Sequence, residues 1–118
     1  MNQNAKEHAA VQLVVSRGET SGVTFYLEPG ENLVGRWDPE HGAFPEVDLE
    51  RHDPEAKVSR RHAVIEVRGD SITITDIGSL NGTFINRGKR IEASQPHALK
   101  DGDEVIIGKT FLQVSTKS

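Results

Sequence analysis

The sequence contains no cysteine, so a disulfide framework and a thiolate metal site are both excluded. It has no apolar run near the roughly 20 residues of a membrane-spanning helix, and residues 1–10 lack the apolar segment of a signal peptide. A net positive charge is also lacking: 18 Asp and Glu against 14 Lys and Arg give a net charge of −4, whereas general nucleic-acid and membrane-surface binders are usually basic. These absences predict a cytoplasmic protein that binds neither nucleic acid nor membrane.

The length of 118 residues suffices for one domain and is too short for two domains with separate cores. The composition, with 35% hydrophobic and 27% charged residues, is ordinary for a globular protein. We expect one domain over 11–114, with flexible tails at 1–10 and 115–118. We expect it to be a monomer without a cofactor or a bound metal.

Apolar and polar residues alternate along most of the chain, and no segment keeps a helical period. Turn signals recur about every eight to twelve residues. Among them are Asn81-Gly82, Arg87-Gly88 and Asp101-Gly102, which we expect to supply positive φ angles. The pattern predicts an all-β antiparallel sandwich or barrel of about ten short strands. The predicted strands cover 11–15, 23–27, 32–36, 46–49, 62–67, 71–77, 83–86, 90–92, 103–108 and 111–114.

Three loop segments carry many hydrogen-bond donors for a net-acidic chain. They are "VGR" at 34–36, "VSRRH" at 58–62 and "DIGSLNGTFIN" at 76–86. The loops of a sandwich gather at its two ends, so segments that strands separate along the chain can meet at one apex. A rigid scaffold that presents such loops is typical of a binding site.

These segments resemble the forkhead-associated (FHA) domain in their order: Gly35-Arg36, then Ser59 with His62, then "GSLNGTFIN". The resemblance extends from about Val11 to Val114. It implies an antiparallel β-sandwich of about ten or eleven strands that is not an enzyme and binds phosphothreonine peptides through its apical loops. The expected partner is a protein phosphorylated by a Ser/Thr kinase, and the expected function is its recruitment in signalling.

The resemblance assigns phosphopeptide contacts to Arg36, Ser59, Arg60, Leu80 and Asn81. Arg36 offers a guanidinium fork for two phosphate oxygens, and Ser59 offers a hydroxyl and a backbone N–H. The Asn81 amide would hold the main chain of the peptide beside the phosphoresidue. Leu80 stands where many family members carry a hydroxyl residue, so only its backbone N–H remains for the phosphate.

Other residues are expected to shape the loops rather than to bind the ligand: Gly35, His62, Asp76, Ser79, Gly82, Thr83 and Asn86. The resemblance makes His62 structural, bonded to neighbouring loop backbone, and side chains such as Asp76 are expected to brace their loop. Because side chains alternate along a strand, Arg60 is expected to face the ligand and Arg61 the solvent.

Other functions stay open. Ser59, His62 and Asp76 could form a hydrolase triad, although no serine sits in a Gly-x-Ser-x-Gly elbow. A metal could bind His41 and His52 with carboxylates of the 37–58 insertion, whose role the sequence leaves open. Nucleic acid could contact Arg60, Arg61, Arg87 and Arg90. A degenerate FHA-like fold used for phosphate-independent protein docking is the main alternative.

Overall fold

A computed structural model describes residues 10–116, which form two five-stranded sheets. The ten strands are, in chain order, β1 (Val11–Val15), β2 (Thr24–Tyr26), β3 (Gly30–Gly35), β4 (Val47–Asp48), β5 (Arg61–Arg68), β6 (Ser71–Asp76), β7 (Thr83–Ile85), β8 (His97–Leu99), β9 (Glu104–Ile107) and β10 (Thr110–Thr116). One sheet has the order β2-β1-β10-β9-β7 and the other β4-β3-β5-β6-β8. All paired strands are antiparallel except β3 and β4. The predicted all-β sandwich is confirmed.

The inward-facing side chains of both sheets form one hydrophobic core. In β1 the burial alternates with the sequence, since Val11, Leu13 and Val15 are buried whereas Gln12 and Val14 are only half-buried. Each large aliphatic side chain that is fully buried contributes about 1.5–3 kcal/mol to folding. The fully buried aliphatic residues include Leu13, Val34, Ile65, Ile74, Val105, Ile107 and Leu112.

Some element boundaries differ from the predictions. The segment 90–92 is no strand, because only Arg90 forms a bridge, with Phe84. The unpredicted β8 lies in a polar stretch after Pro96, where three residues show no alternation. Strand β10 extends to Thr116, which pairs with Val11, so two residues of the predicted C-terminal tail belong to the sheet. Residues 1–9 and 117–118 of the predicted tails lie outside the described residues.

Positive φ angles occur at all three predicted turns, but in one of them the residues that adopt these angles differ from the prediction. Gly82 and Gly102 have φ angles of 94° and 87°. In the turn after β7, however, the positive φ angles belong to Asn86 and Arg87, at 51° and 60°, and not to Gly88. Asparagine tolerates this region better than most side chains do, which explains the conformation of Asn86.

The insertion between β3 and β5 is compact. It contains the short strand β4 and two short 3₁₀ turns, Pro39–His41 and Glu50–His52. Asp38 and Ala43 pair through their backbones in both directions, at 2.9 Å for each hydrogen bond. No helical segment within residues 10–116 has the length and apolar content to cross a membrane.

Gly35 lets the end of β3 approach the start of β5. The pairing of the two strands shifts register between Val34 and Gly35. A Cβ atom on Gly35 would lie 1.9 Å from the carbonyl oxygen of Arg60, far inside van der Waals contact. The next residue, Arg36, donates its backbone N–H to the same carbonyl at 3.1 Å. The absence of a side chain at Gly35 therefore places Arg36 beside the segment that precedes β5.

We expect Gly35→Ala to lower the free energy of unfolding by about 1–3 kcal/mol or more, the usual range for an overpacked site. The added methyl group collides with backbone, which cannot move as a flexible side chain does. Urea unfolding measures the loss. The matched control is Gly88→Ala, whose new Cβ would lie 3.3 Å from its nearest neighbour and should destabilise less. Equal losses in the two variants would contradict this account.

Candidate functional site

One pocket lies between the segment after β3, the segment before β5 and the loop before β7. Its volume is about 220 Å³. It contains all five residues that the sequence assigned to phosphopeptide contact. Its lining consists of Arg36, Ala56, Lys57, Val58, Ser59, Arg60, Leu80 and Asn81. The tertiary structure thus brings together three segments that strands separate along the chain.

Main-chain contacts hold Arg36 in this pocket. Its backbone bonds the Arg60 carbonyl, and its Nε–H donates to the carbonyl oxygen of Val58 at 3.3 Å. Its two terminal guanidinium nitrogens have no hydrogen-bond partner among residues 10–116. These nitrogens are the donors that an arginine uses to bind two oxygens of one anion. Arg36 is therefore anchored while its donors stay available.

The carboxylate of Asp53 folds the segment before β5. One oxygen accepts the backbone N–H of Lys57 at 2.8 Å, and the other accepts that of Val58 at 2.9 Å. Ala56 adopts φ 56° within this turn, a left-handed conformation that is uncommon for residues with a side chain. The Lys57 carbonyl in turn accepts a hydrogen bond from Asn81 Nδ2 at 3.1 Å. This contact ties the segment to the loop before β7.

Asp76 organises the loop before β7. Its carboxylate accepts the backbone N–H groups of Gly78 and Ser79 at 2.8 and 2.9 Å, and the hydroxyls of Ser79 and Thr83 at 2.6 and 2.7 Å. The Ser79 oxygen also accepts the Gly82 N–H at 3.0 Å. Burial alone would raise the pKa of Asp76, but the hydrogen bonds from Ser79 and Thr83 outweigh it and lower this pKa. Asp76 is therefore an ionised loop brace.

His62 connects the two loops and is fully buried. Its Nδ1 accepts the backbone N–H of Ser59 at 3.1 Å, so its Nε2 carries the proton and donates to the Gly82 carbonyl at 2.8 Å. Burial lowers the pKa of His62, and the bond to the Gly82 carbonyl opposes this effect only in part. His62 is therefore a neutral structural bridge.

Arg60 lines the pocket whereas Arg61 does not, and both side chains contact the insertion. Arg60 lines the pocket, but its Nε–H donates to Oδ2 of Asp38, which lowers the pKa of that carboxyl. His41 Nδ1 contacts the same oxygen at 2.9 Å. Arg61 Nη2 donates to the Gly42 carbonyl at 2.6 Å. We expected Arg60 to face the ligand and Arg61 the solvent. The structure shows that both side chains also bond residues of the insertion.

The family to which these features belong follows from comparison with known proteins. The family model described as "FHA domain" matches residues 32–108, which include the insertion and all three donor-rich segments. The chain belongs to the FHA domain family. The resemblance inferred from the motifs is confirmed.

Curated relatives include two kinds of bacterial regulator. The oxoglutarate dehydrogenase inhibitor of Corynebacterium jeikeium is 39% identical over 100 residues, which cover 85% of this chain and 60% of the relative. The glycogen accumulation regulator GarA of Mycolicibacterium smegmatis is also 39% identical over 100 residues, which cover 85% of this chain and 55% of GarA. The chain thus spans little more than half the length of these relatives.

Solved FHA domains share the fold. One, from a structural and functional analysis of phosphothreonine-dependent FHA domain interactions, has a TM-score of 0.71 and 30% identity, covering 92% of this chain and 97% of that one. The FhaA FHA domain, in complex with the intracellular domain of Rv3910, has a TM-score of 0.70 and 31% identity. That match covers 88% of this chain and 98% of the FhaA domain. The sandwich is therefore the FHA sandwich.

Two donors that we expected to bind phosphate have partners within this FHA domain. The Ser59 N–H donates to His62, and the Leu80 N–H donates to the Ser59 oxygen at 3.1 Å. The Ser59 oxygen accepts this bond without using its own hydrogen, and within residues 10–116 that hydrogen has no acceptor, so it can bond a ligand. Leu80 is 80% exposed and is one of the residues that line the pocket.

Asn86 does not join the pocket of the FHA domain, because it lies at the other end of β7. Its Nδ2 donates to Asp103 at 3.0 Å, and its Oδ1 accepts the backbone N–H of Glu104 at 2.8 Å. Asn86 therefore fixes the turn after β7 against the start of β9. The loop-shaping role expected of Asn86 therefore concerns the turn after β7 and not the pocket.

Sequence reasoning missed three residues that matter to the site. Lys57 was visible as a cation two positions before Ser59, yet it was not singled out. Asp53 had a weaker signal, a carboxylate shortly before a run of backbone donors that need partners. Asp38 had none, because its contact with Arg60 joins residues 22 positions apart.

The open alternatives fit the structure less well. His62 bonds backbone through both ring nitrogens, and Asp76 contacts Ser79 and Thr83, so Ser59, His62 and Asp76 form no triad. Within residues 10–116 no three His, Asp or Glu side chains cluster as metal ligands. The four arginines considered for nucleic acid contact protein groups, namely Asp38, Gly42, Glu104 and the Ser79 carbonyl.

The buried imidazole predicts a pH-dependent stability. The pKa of His62 is lowered by folding, so below about pH 6.5, the usual histidine value, the unfolded chain binds a proton that the folded chain excludes. The free energy of unfolding should therefore fall as the pH decreases from 7.5 to 5.5. Urea unfolding at both pH values measures the difference.

The variant His62→Asn should reduce this pH-dependent difference, although it also lowers stability at pH 7.5 because hydrogen bonds are lost. The matched control is His52→Gln, since burial lowers the pKa of His52 as well but this side chain is only half-buried. The control should retain most of the pH dependence. An unchanged pH dependence in His62→Asn would contradict the role of the imidazole.

Proposed function

We propose that this domain binds phosphothreonine-containing segments of partner proteins and recruits them in Ser/Thr-kinase signalling. The observation that carries the proposal is the pocket in which Arg36, Ser59 and Asn81 meet. A phosphothreonine carries about 1.5–2 negative charges at neutral pH and three strong acceptor oxygens. The free guanidinium nitrogens of Arg36 and the free hydroxyl hydrogen of Ser59 are complementary to such a group.

Asn81 would bind the main chain of the peptide beside the phosphothreonine. Its Nδ2 already has one bond to Lys57, so one further N–H and the amide oxygen remain for a ligand. An extended peptide offers both a carbonyl and an N–H at each residue. The amide therefore fits a ligand that is a peptide rather than a free phosphate.

The relatives support a regulatory role. Those named above are an inhibitor and a regulator, and one solved relative is described by its phosphothreonine-dependent interactions. Because this chain spans only part of the curated relatives, the enzyme or pathway that it regulates is not transferred from them. We propose a binding module rather than an enzyme. Its monomeric state and cytoplasmic location remain predictions.

Arg36→Ala should weaken binding of a phosphothreonine peptide about 100-fold or more, because each lost bond to a charged group contributes about 1.5–3 kcal/mol. Peptides selected from a degenerate phosphothreonine library, titrated while amide NMR shifts are followed, provide the measurement. The matched control is Arg68→Ala, an exposed arginine at the far end of β5 that pairs with Glu66. The control should bind as the wild type does.

A result in which Arg36→Ala binds normally would refute the anion site. Binding that is equally strong to the same peptides without phosphate would instead favour phosphate-independent docking.

Peptide binding should also weaken below about pH 6, where the phosphate loses its second charge. Isothermal titration from pH 7.5 to 5.5 measures the change, with far-UV circular dichroism at each pH as the control for folding. An affinity that stays constant to pH 5.5 would contradict a doubly charged ligand.

A further inference from the structure

Three cationic residues line the pocket, and their surroundings differ. They are Arg36, Lys57 and Arg60. Arg60 forms an ion pair with Asp38, with side-chain exposures of 45% and 17%. Within residues 10–116, neither Arg36 nor Lys57 has a carboxylate within ion-pair distance. One of the three positive charges is therefore already neutralised by the protein.

The insertion holds the Asp38 carboxylate against Arg60. Asp38 and Ala43 pair through both of their backbone hydrogen bonds, and Arg61 bonds the carbonyl of Gly42 in the same turn. His41 gives the Asp38 carboxylate a second contact. The carboxylate thus belongs to an ordered turn and bonds Arg60, a residue that lines the pocket.

Lys57 is anchored differently. Its backbone N–H bonds Asp53, and its carbonyl bonds Asn81. Both main-chain groups of Lys57 are therefore fixed, so its Cα atom has a defined position in the pocket wall. An ammonium group without a carboxylate partner can approach an anion without first breaking an ion pair, whereas the Arg60 guanidinium must share its charge with Asp38.

We propose that Asp38 of the insertion withdraws Arg60 from phosphate binding, so that Lys57 is the second cation, beside Arg36, that binds the phosphate. The inference rests on the proposed function. This proposal gives the insertion a role, because the fixed negative charge of Asp38 beside Arg60 decides which basic residue binds the ligand. Asp38, through its place beside the pocket residue Arg60, would also repel the dianion, since like charges interact unfavourably.

The test uses the capped peptide Ala-Ala-pThr-Ala-Ala, whose neutral flanks leave the phosphate as the only charge. Its dissociation constant is measured by NMR titration for the wild type and for Lys57→Gln, Arg60→Gln, Asp38→Asn and the double variant Asp38→Asn/Arg60→Gln. The substitutions remove charge and nearly preserve side-chain size. Urea unfolding checks that each variant is folded.

We expect Lys57→Gln to weaken binding by about tenfold or more, as for a lost bond to a charged group, and Arg60→Gln by less than about threefold, as for an exposed and compensated charge. Asp38→Asn should strengthen binding by about three- to tenfold, because a repulsive charge is removed and Arg60 is released. In the Asp38→Asn background, Arg60→Gln should then weaken binding by about tenfold.

The inference would be overturned if Arg60→Gln weakened binding as much as Lys57→Gln does in the wild-type background, or if Asp38→Asn left binding unchanged or weaker. Neither result would affect the proposed function, which instead fails if the peptide causes no shifts in the pocket or if Arg36→Ala binds normally. The two failures are therefore distinguishable.

Discussion

The His62 imidazole accepts a hydrogen bond from the Ser59 N–H and donates one to the Gly82 carbonyl, and the pocket depends on this bridge. It joins the segment before β5 to the loop before β7, which carry the Ser59 hydroxyl and the Asn81 amide. A buried imidazole has no water to replace these partners. Because Nδ1 accepts the Ser59 N–H, the proton lies on Nε2, and burial lowers the pKa of His62 and so favours the neutral ring. The two bonds together fix the spacing of the two loops.

Charge provides the second constraint on the site. The chain is net acidic, so the pocket cannot rely on a broad positive field to attract an anion and needs local cations. Arg36 meets this need because main-chain carbonyls position it and, in the part of the chain that the structure describes, no carboxylate pairs with it. Arg60 differs because the insertion brings Asp38 against it. Asp76 is also ionised, but its carboxylate accepts four hydrogen bonds from Gly78, Ser79 and Thr83 of its own loop.

Much of the fold could be predicted, because alternating burial reflects local sequence. Strand β1 shows it directly, with every second residue buried. The strand His97–Leu99 was missed because three residues give no period, and 90–92 was predicted wrongly because Arg90 instead forms a bridge and bonds the Ser79 carbonyl. The order of the motifs identified the candidate site residues by position. It could not show which of their donors already have hydrogen-bond partners within the domain.

The sequence by itself determined most of the strand pattern, the FHA family and most of the donors that line the pocket, because these follow from residue types and from the order of short motifs. Only the tertiary structure decided that the Ser59 and Leu80 N–H groups are engaged and that Asp38 meets Arg60. The physical reason is that a hydrogen bond or an ion pair depends on ångström distances between segments far apart in the chain. Those distances are set by the packing of two sheets and by the missing side chain at Gly35.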